Sequence, residues 1–229
     1  SAPKKVIVRA LGPSLTQYGV QNALTNPTLT LYDNTGAVLT SNDDWKDTQQ
    51  TEIAATGVQP SNDLESAIVR TLSPGLYTTA MNGKNGATGV GLIEVYDLDP
   101  PANSTLGNVS TRGLVGTGDN VVISGFIVGS GANPVVVARG IGPSLAGAGI
   151  HNPLADPILE LHNGNGGLIA ENNDWKDTQP ELIQAAGLAP TDDHEAAIMS
   201  WLAPGSYTAV LRGNNATTGV GLVEIFRIN

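Results

Sequence analysis

Apolar and polar residues alternate in short runs along most of this chain. Thr28-Leu29-Thr30-Leu31-Tyr32 and Ile158-Leu159-Glu160-Leu161-His162 follow a period of two, the pattern of strands with one face turned inward. Val6-Ile7-Val8-Arg9-Ala10-Leu11 and Val135-Val136-Val137-Ala138 are nearly continuous apolar runs and predict strands buried on both faces. Ala37-Val38-Leu39 and Leu168-Ile169-Ala170 return after Asp33-Asn34-Thr35-Gly36 and Asn163-Gly164-Asn165-Gly166-Gly167, which predicts two hairpins. Short helices are expected over about 48–56 and 179–186. Pro180 is acceptable in a first helical turn, and Gly57 and Gly187 stand where a left-handed residue would end each helix. Pro74-Gly75-Leu76-Tyr77-Thr78 and Pro204-Gly205-Ser206-Tyr207-Thr208 launch a further strand after a turn, and Gly89-Val90-Gly91-Leu92-Ile93-Glu94-Val95-Tyr96 predicts another.

These elements come in two sets. Gly12-Pro13-Ser14-Leu15 recurs as Gly142-Pro143-Ser144-Leu145, the run from Asp44 to Gln49 as Asp174 to Gln179, and Thr88-Gly89-Val90-Gly91-Leu92 as Thr218 to Leu222. Positions 4–99 align with 134–229 without a gap and share about 41 identical residues, so one domain is present twice. Residues 1–99 form the first copy, 100–133 a linker with extra strands, and 134–229 the second copy. The extra strands, 106–111 and 121–128 about the turn Gly116-Thr117-Gly118-Asp119, have no counterpart ahead of the first copy. Seven or eight short strands per copy and one short helix predict an all-β chain: two tandem antiparallel β-sandwiches of jelly-roll type.

Composition narrows the class. Gly (28) and Pro (14) are abundant while aromatic residues make up only 4%, which favours strands and turns over long helices. The formal net charge of -10 repels polyanions, so nucleic-acid binding is not expected. The absence of cysteine removes disulfides, thiolate metal sites and cysteine nucleophiles. No apolar run reaches the roughly 18 residues of a membrane helix. A start at Ser1-Ala2-Pro3, without an initiator Met, suits either a processed chain whose export signal has been removed or a piece cut from a longer one.

The run Asn108-Val-Ser-Thr-Arg-Gly-Leu-Val-Gly-Thr-Gly-Asp-Asn120, then Val136 to Leu145, Asn173-Asp174-Trp175, Ala203 to Thr208 and Thr218 to Glu224, resembles a tandem β-sandwich repeat of exported verrucomicrobial-type bacterial proteins. More distantly, the order of Leu-x-Leu strand, Asp/Asn-Gly turn, Asn-Asp cluster and Pro-Gly-x-Tyr is similar to bacterial pre-peptidase C-terminal domains. The resemblance implies an extracellular or cell-surface accessory module, and neither family brings a biochemical activity. In such arrays each repeat begins with the Ser-Thr-Arg-Gly strands, and the first copy departs from that pattern by lacking them.

Two acidic clusters recur in both copies: Asn42 to Asp47 with Asn62 to Glu65, and Asn172 to Asp177 with Asp192 to Glu195. A calcium ion takes six to eight oxygen ligands from loops, which makes Asp44, Asp47, Asp63 and Glu65, with Asp174, Asp177, Asp193 and Glu195, candidate metal ligands. The competing reading has Asp47 and Asp177 capping the helices and Asp63 and Asp193 organising Asx turns. Trp45 and Trp175, beside carboxylates and amides, are either platforms for stacking a sugar or plugs at the edge of the core. No histidine is common to the two copies, so no shared base serves a nucleophile at Ser14 or Ser144, and a catalytic role is not expected.

Two functions fit this reading. The first is a structural module that self-assembles into a filament or surface layer by strand donation between copies, the donor being the arm 1–5 or part of 100–128. The second is a calcium-dependent carbohydrate-binding accessory module that grips a polysaccharide through the acidic loops and the two tryptophans.

Overall fold

Val6, Val8 and Ala10 turn one way from the first strand and Ile7 turns the other, and both faces are covered. This is why the run is apolar throughout rather than alternating. The computed structural model describes residues 2–99, 107–129 and 134–228 and divides into two units, Ser1–Thr105 and Leu106–Asn229.

The first unit consists of β1 (Lys4–Leu11), β2 (Pro27–Tyr32), β3 (Val38–Asn42), the helix α1 (Gln50–Ala55), β4 (Ser66–Leu72), β5 (Thr78–Gly83) and β6 (Leu92–Asp97). Its strands form two antiparallel three-stranded sheets in the orders β4-β1-β6 and β3-β2-β5. Val6, Val8, Ala10, Leu29, Leu31 and Ile68 fill the space between them. On the outer face of β1 and β4, the residues Ile7, Ala67 and Val69 receive Ile53 from α1 and Trp45 from the loop before it.

The second unit contains β7 (Asn108–Val115), β8 (Val122–Val128), β9 (Val135–Ile141), β10 (Pro157–Asn163), β11 (Leu168–Asn172), α2 (Pro180–Ala185), β12 (Ala196–Trp201), β13 (Gly205–Gly213) and β14 (Gly219–Ile228). Its sheets have four strands each, β12-β9-β14-β7 and β11-β10-β13-β8, again antiparallel. The fold is therefore all-β, with tandem jelly-roll-like sandwiches and one short α-helix in each. The extra strands join the second unit, where β7 runs to Val115, beyond the expected 106–111. Leu106, the linker residues 100–105 and 130–133, and Ser1 lie outside the described residues.

The repeated Gly-Pro-Ser-Leu motif opens a 3-10 turn after β1 and after β9. Its glycine is required by a close approach: a Cβ on Gly12 would fall 2.0 Å from the Leu24 carbonyl oxygen, and one on Gly142 2.2 Å from that of Leu154.

Candidate functional site

Glu65 and Glu195 immediately precede β4 and β12 and are fully buried. One oxygen of Glu65 accepts the backbone N–H groups of Gly12 (3.0 Å) and Ser14 (2.9 Å) together with the Ser14 hydroxyl. The other accepts the Asn62 N–H at 3.3 Å. Glu195 repeats this with Gly142, Ser144 and Asp192. Each carboxylate thus clamps the turn after one strand to the loop before its neighbour, and its oxygens are committed to that task.

The other predicted ligands are spread over separate tasks. Asp63 and Asp193 form surface ion pairs with Lys46 (2.6 Å) and Lys176 (2.5 Å). The Asx turns belong instead to their predecessors: Asn62 Oδ1 accepts from Leu64 N–H and Asp192 Oδ1 from His194 N–H, both at 3.0 Å. Asp47 and Asp177 do not cap the helices. The capping positions are Gln49 and Gln179, held in the left-handed region with φ of 55° and 57° and making no side-chain cap. The Gln49 side chain is drawn away because its amide pairs with β4, donating to the Val69 carbonyl (2.9 Å) and accepting the Val69 N–H (3.2 Å).

Asp44 and Asp174 each keep one buried carboxylate oxygen without a hydrogen-bond partner, as do Asp43 in the first unit and Asp156 in the second, and the amide oxygens of Asn26 and Asn173 are likewise buried without a partner. Burial pushes the Asp44 carboxyl above the usual carboxylate value, with Asp43 adding to it; burial and then Asp177 do the same for Asp174. Lys84 offsets the charge beside Asp43 at 2.5 Å, whereas in the second unit Asn214 bonds Asp156 at 2.9 Å. The structure does not bring the four predicted carboxylates of either copy into one ligand set. Among the described residues no group of three or more His, Cys, Asp or Glu side chains is placed to hold a metal ion.

Trp45 and Trp175 are 6% and 3% exposed, packed against Ile53 and Val69 in one unit and Ile183 and Met199 in the other. Lys46 and Lys176 lie over their rings at 5.3 and 5.5 Å. Neither indole presents a free face on which a sugar can stack. Glu94 and Glu224 are tied to Arg9 and Arg139 across adjacent strands.

The largest difference between the units lies along one flank. In the second, β14 is paired with β9 on one side and β7 on the other, and β13 with β10 and β8. β7 and β8 belong to opposite sheets and are joined by a tight turn in which Gly116 N–H donates to the Asn120 carbonyl at 2.7 Å. They form an arch across the end of the sandwich. Val115, Val122 and Val128 drop from it into the core, and Phe126 stacks on Tyr207 with ring centres 5.5 Å apart.

In the first unit β5 and β6 end their sheets, and among the described residues no strand covers them. Val95 is 40% exposed where its counterpart Ile225 is 6% exposed, and Leu76 is 79% exposed. The Met81 thioether closes over Gly91, with its Cε 2.4 Å from where a Cβ would stand. At the corresponding Gly221 the neighbours are Leu211 on β13, the shorter counterpart of Met81, and Val115 of the arch. A long, adaptable side chain in the first unit partly fills room that the arch fills in the second.

Among the described residues, parts of both donors expected from the sequence are already engaged. Lys4 and Lys5 lie within β1, with Lys4 Nζ donating to Asp97 (2.6 Å) and to the Asp99 carbonyl (3.0 Å), while Lys5 pairs with Glu52 (2.7 Å). The strands of 107–129 are paired within the second unit.

No family model matches the chain, and no curated protein sequence matches it. Among solved structures it is similar to the major capsid protein P2 from bacteriophage PM2, at 7% identity over all of this chain and 88% of that one, with a TM-score of 0.25. It is also similar to VP2 of the infectious bursal disease virus subviral particle, at 11% identity over 99% of this chain and 58% of that one, with a TM-score of 0.21. No helix among the described residues is long and apolar enough to cross a membrane.

Proposed function

We propose that this chain is a non-catalytic structural module of the cell exterior that assembles with copies of itself, through β-strand pairing, into a filament or surface layer. The open flank of the first unit carries this reading. Two edge strands, β5 and β6, present unpaired backbone groups beside exposed Leu76, Val90, Leu92 and Val95, on the side that the second unit seals with two further strands. Uncovered sheet edges of this kind template pairing with another chain. An acceptor on one part of a subunit and a donor on another make a heterologous contact, which propagates unless its rotation closes a ring. The polysaccharide reading loses its stacking platforms with the burial of Trp45 and Trp175.

Light scattering and negative-stain microscopy of the purified chain over a range of concentrations test the proposal. Oligomers that lengthen with concentration are expected. A monodisperse monomer at millimolar concentration overturns it.

A further inference from the structure

Each chain has two flanks of the same design and, among the described residues, one arch to close them. Moving the arch from the second unit of one copy to the first unit of another would fill one flank and empty the other. The number of paired strands would not change, so exchange by itself gives no drive to assemble. Sharing does. Among the described residues, β7 and β8 are themselves the outermost strands of their sheets, so no described strand pairs with their outer edges, nor with the outer edges of β6 and β5.

We infer that the partner of the open flank is the outer side of the β7–β8 arch of a second copy, which stays in its own unit while its free edges pair with β6 and β5 of the next. This rests on the assembly reading above and names the surface that carries it.

Three observations favour this occupant. Both sides offer the same architecture, one edge strand from each of two facing sheets, so both sheets can continue across the contact. Both sides expose large apolar residues: Leu114, Ile123 and Ile127 on the arch and Leu76, Val90, Leu92 and Val95 on the open flank. Exposed apolar side chains flanking an uncovered strand edge favour pairing at that edge over solvation. Donor and acceptor also lie on different units, so each copy can give to one neighbour and receive from another.

The arch edge is blocked by Leu114→Lys/Ile127→Lys and the acceptor edge by Leu76→Lys/Val95→Lys. All four positions are exposed, and lysine at a sheet edge opposes edge pairing. Unchanged melting curves establish that each variant is folded. Under a shared arch each variant alone is monomeric, while a mixture of the two forms a 1:1 complex that grows no further, because each supplies the surface the other lacks.

If the unmodified chain assembles and Leu114→Lys/Ile127→Lys assembles equally well, the shared arch is overturned and the broader reading survives; arch exchange predicts this result, since both side chains stay exposed after a swap. If the unmodified chain does not assemble, both fall. Monomeric variants that form no 1:1 complex on mixing also overturn the shared arch. Should the arch variant fail to fold, Ile123→Lys on β8, also exposed, takes its place in the same mixture.

Discussion

Glu65 and Glu195 hold together segments more than 50 residues apart in sequence, each through N–H and hydroxyl donors of which the Gly12 and Gly142 N–H groups are buried. Removing such a carboxylate leaves buried donors unsatisfied, so Glu65→Ala and Glu195→Ala should each lower the unfolding free energy by about 3 kcal/mol in denaturant titrations. Trp45→Ala and Trp175→Ala should lower it by about 3 to 5 kcal/mol, because each opens a cavity against a helix and the outer face of a sheet. Asp44 behaves in the opposite sense. Burial, with Asp43 beside it, raises its folded pKa above the ordinary 3.8, so folding favours the protonated form. The stability it contributes is complete below that ordinary value and is lost as pH rises through the raised one. Asp44→Asn should therefore raise the melting temperature at neutral pH, and the gain should shrink toward zero in melts carried out below 3.8.

Strand length follows from having neighbours. β13 and β14 span 9 and 10 residues, whereas β5 and β6, their counterparts in the first unit, span 6 each. The arch supplies hydrogen-bond partners on the far side and buries Leu211, Val223 and Ile225 beneath it. Amide exchange should show this in the monomeric Leu114→Lys/Ile127→Lys variant, with β5 and β6 exchanging faster than β13 and β14. Equal protection in the two pairs would mean that the arch does not stabilise the flank it covers. The short helices are set by packing in the same way. Ile53 and Ile183 anchor them against the sheets, and Gly57 and Gly187, with φ of 72° and 70°, turn the chain out of the last helical turn.

Each whole chain carries a net charge of -10, so assembly brings like-charged subunits together. The contact inferred between arch and open flank is apolar and backbone-driven, and the charge opposes it from outside. Raising the ionic strength screens that repulsion and should promote assembly, seen as larger particles in light scattering at high sodium chloride. Assembly that dissolves in salt would point to ion pairs at the contact instead.

Period-two alternation, turn residues and the repeat were enough to predict the sandwiches, their hairpins and the short helix in each, since these follow from local preferences and from which face of a strand must be dry. The special role of Gly-Pro-Ser-Leu was visible as a repeated motif, but its purpose was not. That depended on Glu65 and Glu195 arriving from beyond the helix, a meeting fixed by how β1 pairs with β4 and β9 with β12. The same distance sets the tasks of the acidic loops. Carboxylates close in sequence point to a shared ion, yet sheet register sends Glu65 inward to backbone donors, leaves Asp63 outside on Lys46 and buries one Asp44 oxygen alone. Gln49 escaped notice because its side chain substitutes for a strand partner that exists only once β4 is in place. The sequence likewise showed that one copy had strands the other lacked. That Lys4, Lys5 and the strands of 107–129 are already engaged, with free edges left among the described residues on the arch as well as on the open flank, depends on which strands lie side by side, and no local pattern encodes that neighbourhood.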